Sequence, residues 1–160
     1  MNLGIGQGYL TVTPIQMLNI YANIASRGKT QRPHFLLSTK GKKTYTKELK
    51  PTEKLAIKTQ YYDFIHDSLH EVTQSGGTAP LLSNAFVSIA AKTGTAEDDP
   101  DETGNPTQDL WLASFAPSDK PEIAAIVMYE KSKLEFGGDL SPVLKEAILF
   151  YFQNKKIPQE

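Results

Sequence analysis

The sequence predicts an α+β fold, an antiparallel β-sheet covered by α-helices. Three observations carry that prediction. The first half spaces its apolar residues at three and four, as amphipathic helices do. Three consecutive strand-like runs follow, the last two joined by a short turn, and the chain then closes on another amphipathic stretch.

Thr13-Pro14-Ile15-Gln16 is a helix start. Thr13 can cap, Pro14 has its φ preset for the first helical position, and Gln16 can reach back to complete a capping box. Met17, Leu18, Ile20, Tyr21, Ile24 and Ala25 continue the helical spacing, and Gly28 supplies the C-terminal stop. From Arg32 to Tyr45 the mixture of β-branched and aromatic residues around Lys40-Gly41 predicts a short surface hairpin. Pro51 to Lys58 is expected as a short helix. A longer helix follows in "YYDFIHDSLHEVTQSGG", with Tyr61, Phe64, Ile65, Leu69 and Val72 on one face and Gly76-Gly77 ending it.

The period then changes. Phe86 to Thr95, "DLWLASFAP" and "EIAAIVMYE" are strand-like, and Pro117-Ser118-Asp119-Lys120-Pro121 between the last two suits an antiparallel hairpin. Ser141-Pro142 repeats the cap-plus-proline start. Val143, Leu144, Ala147, Ile148, Phe150 and Tyr151 make the closing helix amphipathic.

The composition is that of an ordinary globular domain: 160 residues, 39% hydrophobic, 22% charged, with a formal net charge of −1. A chain of this size buries roughly 70% of its unfolded surface, enough for one core, so residues 1–160 are expected to be one domain or one piece of a larger one. The near-neutral charge points to no nucleic-acid partner. No apolar run approaches the ~20 residues of a membrane span, and no signal-peptide pattern follows Met1. The absence of cysteine excludes disulfides and thiolate metal sites.

Several candidate sites fail on chemistry. "GIGQG", Gly4 to Gly8, looks like a phosphate loop. Its G-x-G-x-G spacing matches neither the dinucleotide nor the phosphate-loop motif, and it lacks the lysine and the preceding strand. In "EDDPDETGN", Asp99, Asp101, Thr103 and Gly104 occupy calcium-loop positions, but Leu110 stands where a bidentate Glu is needed, so a solvated, mobile loop is expected. His66 and His70 are spaced as a metal pair, yet no third ligand joins them, and His34 is isolated; surface histidines are expected and no metal site. The charged run Lys40, Lys42, Lys43, Lys47 and Lys50 is expected to be a solvated face.

Lys92-Thr93-Gly94-Thr95 is different. A lysine among small residues at a strand end needs an anionic or hydrogen-bonding task, since burying an unpaired ammonium is costly. Two hydroxyls and an unobstructed glycine follow it. Such an edge suits a substrate carboxylate and a developing oxyanion. By itself K-T-G also fits an edge-strand lysine that guards against aggregation.

K-T-G is also one of the three signatures, with S-x-x-K and S-D-N, of class A β-lactamases and penicillin-binding proteins. Together with it, "GIGQGYLTVTPIQMLNIYANIASRGKTQRPHF", "AAKTGTAE", "DLWLASFAPSDKPEIAAIVMYE" and "FGGDLSPVLKEAI" resemble, in order and spacing, the C-terminal half of class B penicillin-binding protein transpeptidase domains, especially the elongation type. The resemblance covers nearly the whole chain.

The resemblance implies a β-lactamase/transpeptidase-like fold, here as a C-terminal fragment, and peptidoglycan D,D-transpeptidation through an acyl-serine intermediate without a cofactor. Lys92 would support the proton network around the serine of the S-x-N motif. Thr93 and Thr95 would bind the substrate's terminal carboxylate beside Gly94, and the Thr95 N–H would join the oxyanion hole. It further implies stem peptides and β-lactam antibiotics as ligands, a glycosyltransferase partner in the cell-elongation machinery, and a place at the extracytoplasmic, periplasmic face of the bacterial inner membrane.

The nucleophile is expected upstream of this chain, with the membrane anchor, leaving the chain inactive alone. Ser26-Arg27-Gly28-Lys29 is formally S-x-x-K, but it falls at a helix end and not a helix start. Tyr21-Ala22-Asn23 mimics a Y-x-N motif in mid-helix, where its residues share no face. A piece cut from a larger domain is expected to expose apolar surface, or to cover it with a second copy in a swapped dimer. Two alternatives stay open: a non-catalytic β-lactam or peptidoglycan-binding sensor, and a serine β-lactamase or D,D-carboxypeptidase of the same superfamily.

Overall fold

A computed structural model of the chain describes residues 11–29, 33–34, 38–39, 45–46, 55–83 and 85–155. The "GIGQG" segment and the lysine run lie outside these residues, as does the first half of the expected helix at 51–58.

Helix α1 spans Pro14–Ala25 and starts as its sequence dictates. The Thr13 N–H donates to the Gln16 side-chain carbonyl at 2.8 Å while Thr13 Oγ1 accepts from the Gln16 N–H at 3.4 Å, so the capping box closes. At the far end the Gly28 N–H reaches back to the Asn23 carbonyl at 2.8 Å and the Arg27 N–H to Ile24 at 3.0 Å. Arg27 and Gly28 both take positive φ, 52° and 87°, which turns the chain sharply off the helix. Strands β1 (Ser38–Thr39) and β2 (Tyr45–Thr46) pair antiparallel and form the expected hairpin.

Residues 55–58 are not helical, contrary to expectation; the Ile57 N–H bonds to the Leu55 carbonyl in a tight turn. Helix α2 runs Thr59–Glu71 and ends well before Gly76-Gly77, leaving a turned loop up to a short 3-10 turn at Pro80–Leu82. Its buried face matches the expected one only at the C-terminal end, where Leu69 is buried and Val72 packs against the core. Tyr62, His66 and Leu69 point inward, while Tyr61, Phe64 and Ile65 are exposed. Both sets have helical spacing, so apolar content alone did not choose between them.

Strands β3 (Ala90–Asp98), β4 (Thr107–Ala116) and β5 (Ile123–Ser132) form one antiparallel sheet in the order β3-β4-β5. β3 starts four residues later than its apolar composition suggests, and Phe86 is exposed. A 3-10 turn at Gly137–Leu140 leads into helix α3, Ser141–Asn154. Ser141 is its first helical residue and not its cap, with its hydroxyl donating to the Gly138 carbonyl at 2.6 Å.

The sheet is covered on both faces. Ala91, Leu110, Leu112 and Ala116 pack with Leu140, Leu144 and Ile148 on the α3 side. On the other side Ala90 and Phe115 pack with Ala25 and Leu69 from α1 and α2. Strand alternation makes this possible, since neighbours Ala90 and Ala91 serve opposite cores. Val143, Ala147 and Phe150, expected on the inner face of α3, are exposed.

Candidate active site

Lys92-Thr93-Gly94-Thr95 lies on β3, an edge of the three-stranded sheet among the described residues. An edge strand turns alternate N–H and C=O groups away from its neighbour, which leaves backbone donors and acceptors for a ligand. Opposite stand Ala113, Leu112, Trp111 and Leu110 of β4, in register. Lys92 and Gly94 therefore share one face of the sheet, and Thr93 and Thr95 share the other.

Lys92 is exposed, not buried, and its Nζ donates to the Thr93 carbonyl at 2.7 Å. The ammonium is thus held along the strand edge. A Cβ on Gly94 would stand 3.2 Å from Cβ of Trp111, a tight approach that the Trp111 side chain could accommodate only by yielding a few tenths of an ångström.

Two distant segments meet the hydroxyl face. Thr78, in the loop after α2, places its Oγ1 2.9 Å from Oγ1 of Thr93. The Gly137 N–H, from the 3-10 turn before α3, donates to Oγ1 of Thr95 at 3.2 Å. That turn is closed by the Phe136 N–H donating to the Asp139 carboxylate at 3.2 Å. Gly137 can approach only because it lacks a side chain: a Cβ would fall 2.5 Å from the Gly94 carbonyl oxygen and 2.6 Å from that of Trp111. Gly138 is pressed equally hard against the Thr78 carbonyl. Thr78 belongs to no pattern along the chain; its only local mark is a hydroxyl directly after the Gly76-Gly77 pair.

The decoys fall where their local chemistry placed them. Ser26 is the C-cap of α1, its hydroxyl donating to the Asn23 carbonyl at 3.3 Å. Tyr21 is half-buried mid-helix, and burial pushes its phenol up to about 12, so it stays neutral and offers no base near neutrality.

Two expectations need correction. His66 is not a surface histidine: it is buried, its Nε2 2.9 Å from the Ile24 carbonyl and its Nδ1 3.2 Å from that of Ser118, with its ring against Phe115. His70 is half-buried, its Nδ1 3.2 Å from the Ile89 carbonyl. Both tie α2 to its neighbours, and among the described residues no cluster of His, Asp and Glu could hold a metal. The acidic loop is exposed as expected, yet it is folded around one residue. Asp101 Oδ1 accepts from the Thr103 hydroxyl at 2.6 Å and from the backbone of Thr103 and Asn105 at 2.9 Å each, and Lys133 lies 3.2 Å from its other oxygen. These bonds, Thr103's first, hold the carboxyl well below the usual carboxylate range.

The family model described as "Penicillin binding protein transpeptidase domain" matches residues 1–149. The chain is 30% identical to the "Peptidoglycan D,D-transpeptidase MrdA" of Acinetobacter baumannii over 98% of its length, covering 25% of that protein. It is 34% identical to the "Peptidoglycan D,D-transpeptidase PbpA" of Mycolicibacterium smegmatis over 84% of its length and 26% of that protein. The chain thus spans about a quarter of the length of these curated relatives.

Among solved structures, penicillin-binding protein A of Mycobacterium tuberculosis as its imipenem acyl-enzyme complex superposes with a TM-score of 0.72 and 27% identity, over 93% of this chain and 32% of that one. Penicillin-binding protein 3 of the same organism, complexed with aztreonam, gives a TM-score of 0.80 at 23% identity over 99% of this chain and 38% of that one, a likeness of fold.

Proposed function

This chain belongs to the penicillin-binding protein transpeptidase family, and from that premise we propose that it supplies the K-T-G side of the active site of a peptidoglycan D,D-transpeptidase. One observation carries the reading: Lys92, Thr93 and Thr95 stand on a strand that forms an edge of the sheet among the described residues, with the two threonine hydroxyls contacted by Thr78 and Gly137.

In the reaction a serine hydroxyl adds to the penultimate D-Ala carbonyl of a stem peptide. The amide bond breaks, terminal D-Ala leaves with a proton, and the amine of a second strand takes the acyl group, restoring the serine. Lys92 assists the proton movement at the serines by swinging its ammonium off the Thr93 carbonyl. Thr93 and Thr95 donate to the terminal carboxylate, and the Thr95 N–H stabilises the oxyanion, a type of contact worth ~100-fold or more in rate. A β-lactam presents the same carboxylate and carbonyl and stops at the acyl-enzyme. The names of the relatives support transpeptidation over the sensor and hydrolase alternatives.

Ser26 does not serve as the nucleophile, because a helix C-terminus cannot hold serine and lysine on one turn facing β3. We assign the nucleophile to a segment that packs against the open edge of β3. Action on the extracytoplasmic side of the membrane, a glycosyltransferase partner and the ability of the isolated chain to associate with a second copy belong to the same proposal. Among the described residues no helix is long and apolar enough to cross a membrane.

The test is labelling with a fluorescent penicillin. The whole protein should be labelled, its Lys92→Ala variant should lose most of that labelling, and the 160-residue chain alone should stay dark. Labelling of the isolated chain that Ser26→Ala abolishes would overturn the assignment.

A further inference from the structure

Thr78 belongs to none of the sequence motifs, yet its hydroxyl touches that of Thr93 at 2.9 Å. The loop that carries it is rigidly specified. The Ala79 N–H bonds back to the Val72 carbonyl at 3.0 Å and the Gly77 N–H to Gln74 at 2.9 Å. Gly77 is packed so hard on the Val72 carbonyl that a Cβ has no room, and Gly138 meets the Thr78 carbonyl in the same way. Thr78 is therefore pinned from both sides, and its side chain is delivered to one place.

A contact between two hydroxyls has a direction, because one donates and the other accepts. When Thr93 donates to Thr78, its single proton is used and it offers a carboxylate only lone pairs. When Thr78 donates to Thr93, the Thr93 proton is released toward the strand edge. An anion placed there selects the second arrangement, and a donor behind a donor strengthens the bond to the charge.

We infer that Thr78 is a positioning residue for anion recognition: it donates to Thr93, which in turn donates to the carboxylate of the bound peptide or β-lactam. This rests on the transpeptidase reading of Lys92-Thr93-Gly94-Thr95. It adds a residue from outside β3, 15 positions earlier in the chain, that acts through the hydroxyl of Thr93.

The experiment follows acylation of the whole protein by a penicillin and by its methyl ester, with the half-saturating concentration resolved from the limiting rate. Thr78→Val keeps the shape and removes the hydroxyl, while Thr78→Ser keeps the hydroxyl. The loss of one neutral hydrogen bond corresponds to ~2–10-fold. Thr78→Val should raise the half-saturating concentration of the penicillin by that factor, leave the limiting rate and the melting temperature near the parent's, and leave the ester unaffected. Thr78→Ser should restore the parent value.

Equal losses in Thr78→Val and Thr78→Ser, or an equal loss with the ester, would mean that the loop merely supports the fold, and would overturn the inference. Parent-like behaviour of Thr78→Val beside a weakened Thr93→Val would overturn the role of Thr78 alone. A parent protein that is not acylated, or a Thr93→Val variant that binds as well as the parent, would sink the transpeptidase reading and this inference with it.

Discussion

The N–H of Gly137 donates to Oγ1 of Thr95 across 42 positions of chain, at 3.2 Å. The contact exists because Gly137 lies on the bare backbone of Gly94 and Trp111, whose side-chain positions face the other way. Gly137→Ala would drive a Cβ to 2.5 Å from a backbone oxygen, and backbone yields less readily than a side-chain tip. We expect a loss of about 1–3 kcal/mol or more by overpacking, read as a lowered melting temperature, together with loss of β-lactam acylation in the whole protein. A fully stable, fully acylated variant would contradict the close approach.

Lys92 is exposed, so its role can be separated from folding. Lys92→Met should change stability by no more than about 0.5 kcal/mol, as surface substitutions do. Acylation should fall by ~100-fold or more, the scale of lost proton-transfer assistance. A stopped-flow acylation rate and a melting curve on the same variant decide the point.

Helix α3 offers a paired comparison. Leu144 and Ile148 are fully buried, whereas Val143 is 60% exposed although it too is apolar. Leu144→Ala or Ile148→Ala should cost about 2–5 kcal/mol, while Val143→Ala should stay near neutral. Chemical denaturation would show equal effects if the inner face were wrongly assigned.

Asp101 organises the β3–β4 connection as a carboxylate. Its folded-state pKa is depressed, so its contribution is fully present above the ordinary value of 3.8 and is lost only as the pH falls through the lower folded value. The loop should therefore keep its structure at pH 4 to 5, where unpaired carboxylates begin to protonate. Amide exchange at Thr103 and Asn105 measures this. Asp101→Asn should speed exchange there without altering the exchange of the central β4 amides.

Tyr61, Phe64 and Ile65 lie outside on α2, with Phe64 71% exposed. Leu55 and Ile57 are exposed just before it. Apolar groups so placed favour self-association. Light scattering on the isolated chain should give a mass that rises with concentration, and a Phe64→Glu, Ile65→Glu double variant should return it to the monomer. A mass independent of concentration in the parent would remove the second-copy proposal.

The parts of the fold that follow from neighbouring residues were legible. The Thr13 and Gln16 cap, the stop at Gly28 and the order of β3, β4 and β5 all depend on local spacing and turn chemistry. The choice of inner face was not, since α2 carries two stripes of helical spacing and the one that contains His66 is inside because Ile24, Phe115 and Ser118 receive it. Polarity argued for the surface and partners decided otherwise.

By itself the sequence determined the α+β class, the family and the placement of Lys92-Thr93-Gly94-Thr95 on a strand, because periodicity, turns and motif spacing are written along the chain. Only the tertiary structure decided what stands behind the hydroxyls of Thr93 and Thr95. Thr78 and Gly137 arrive from 15 and 42 positions away, and whether a hydroxyl or an N–H reaches its acceptor depends on tenths of an ångström of packing between segments that no local pattern couples.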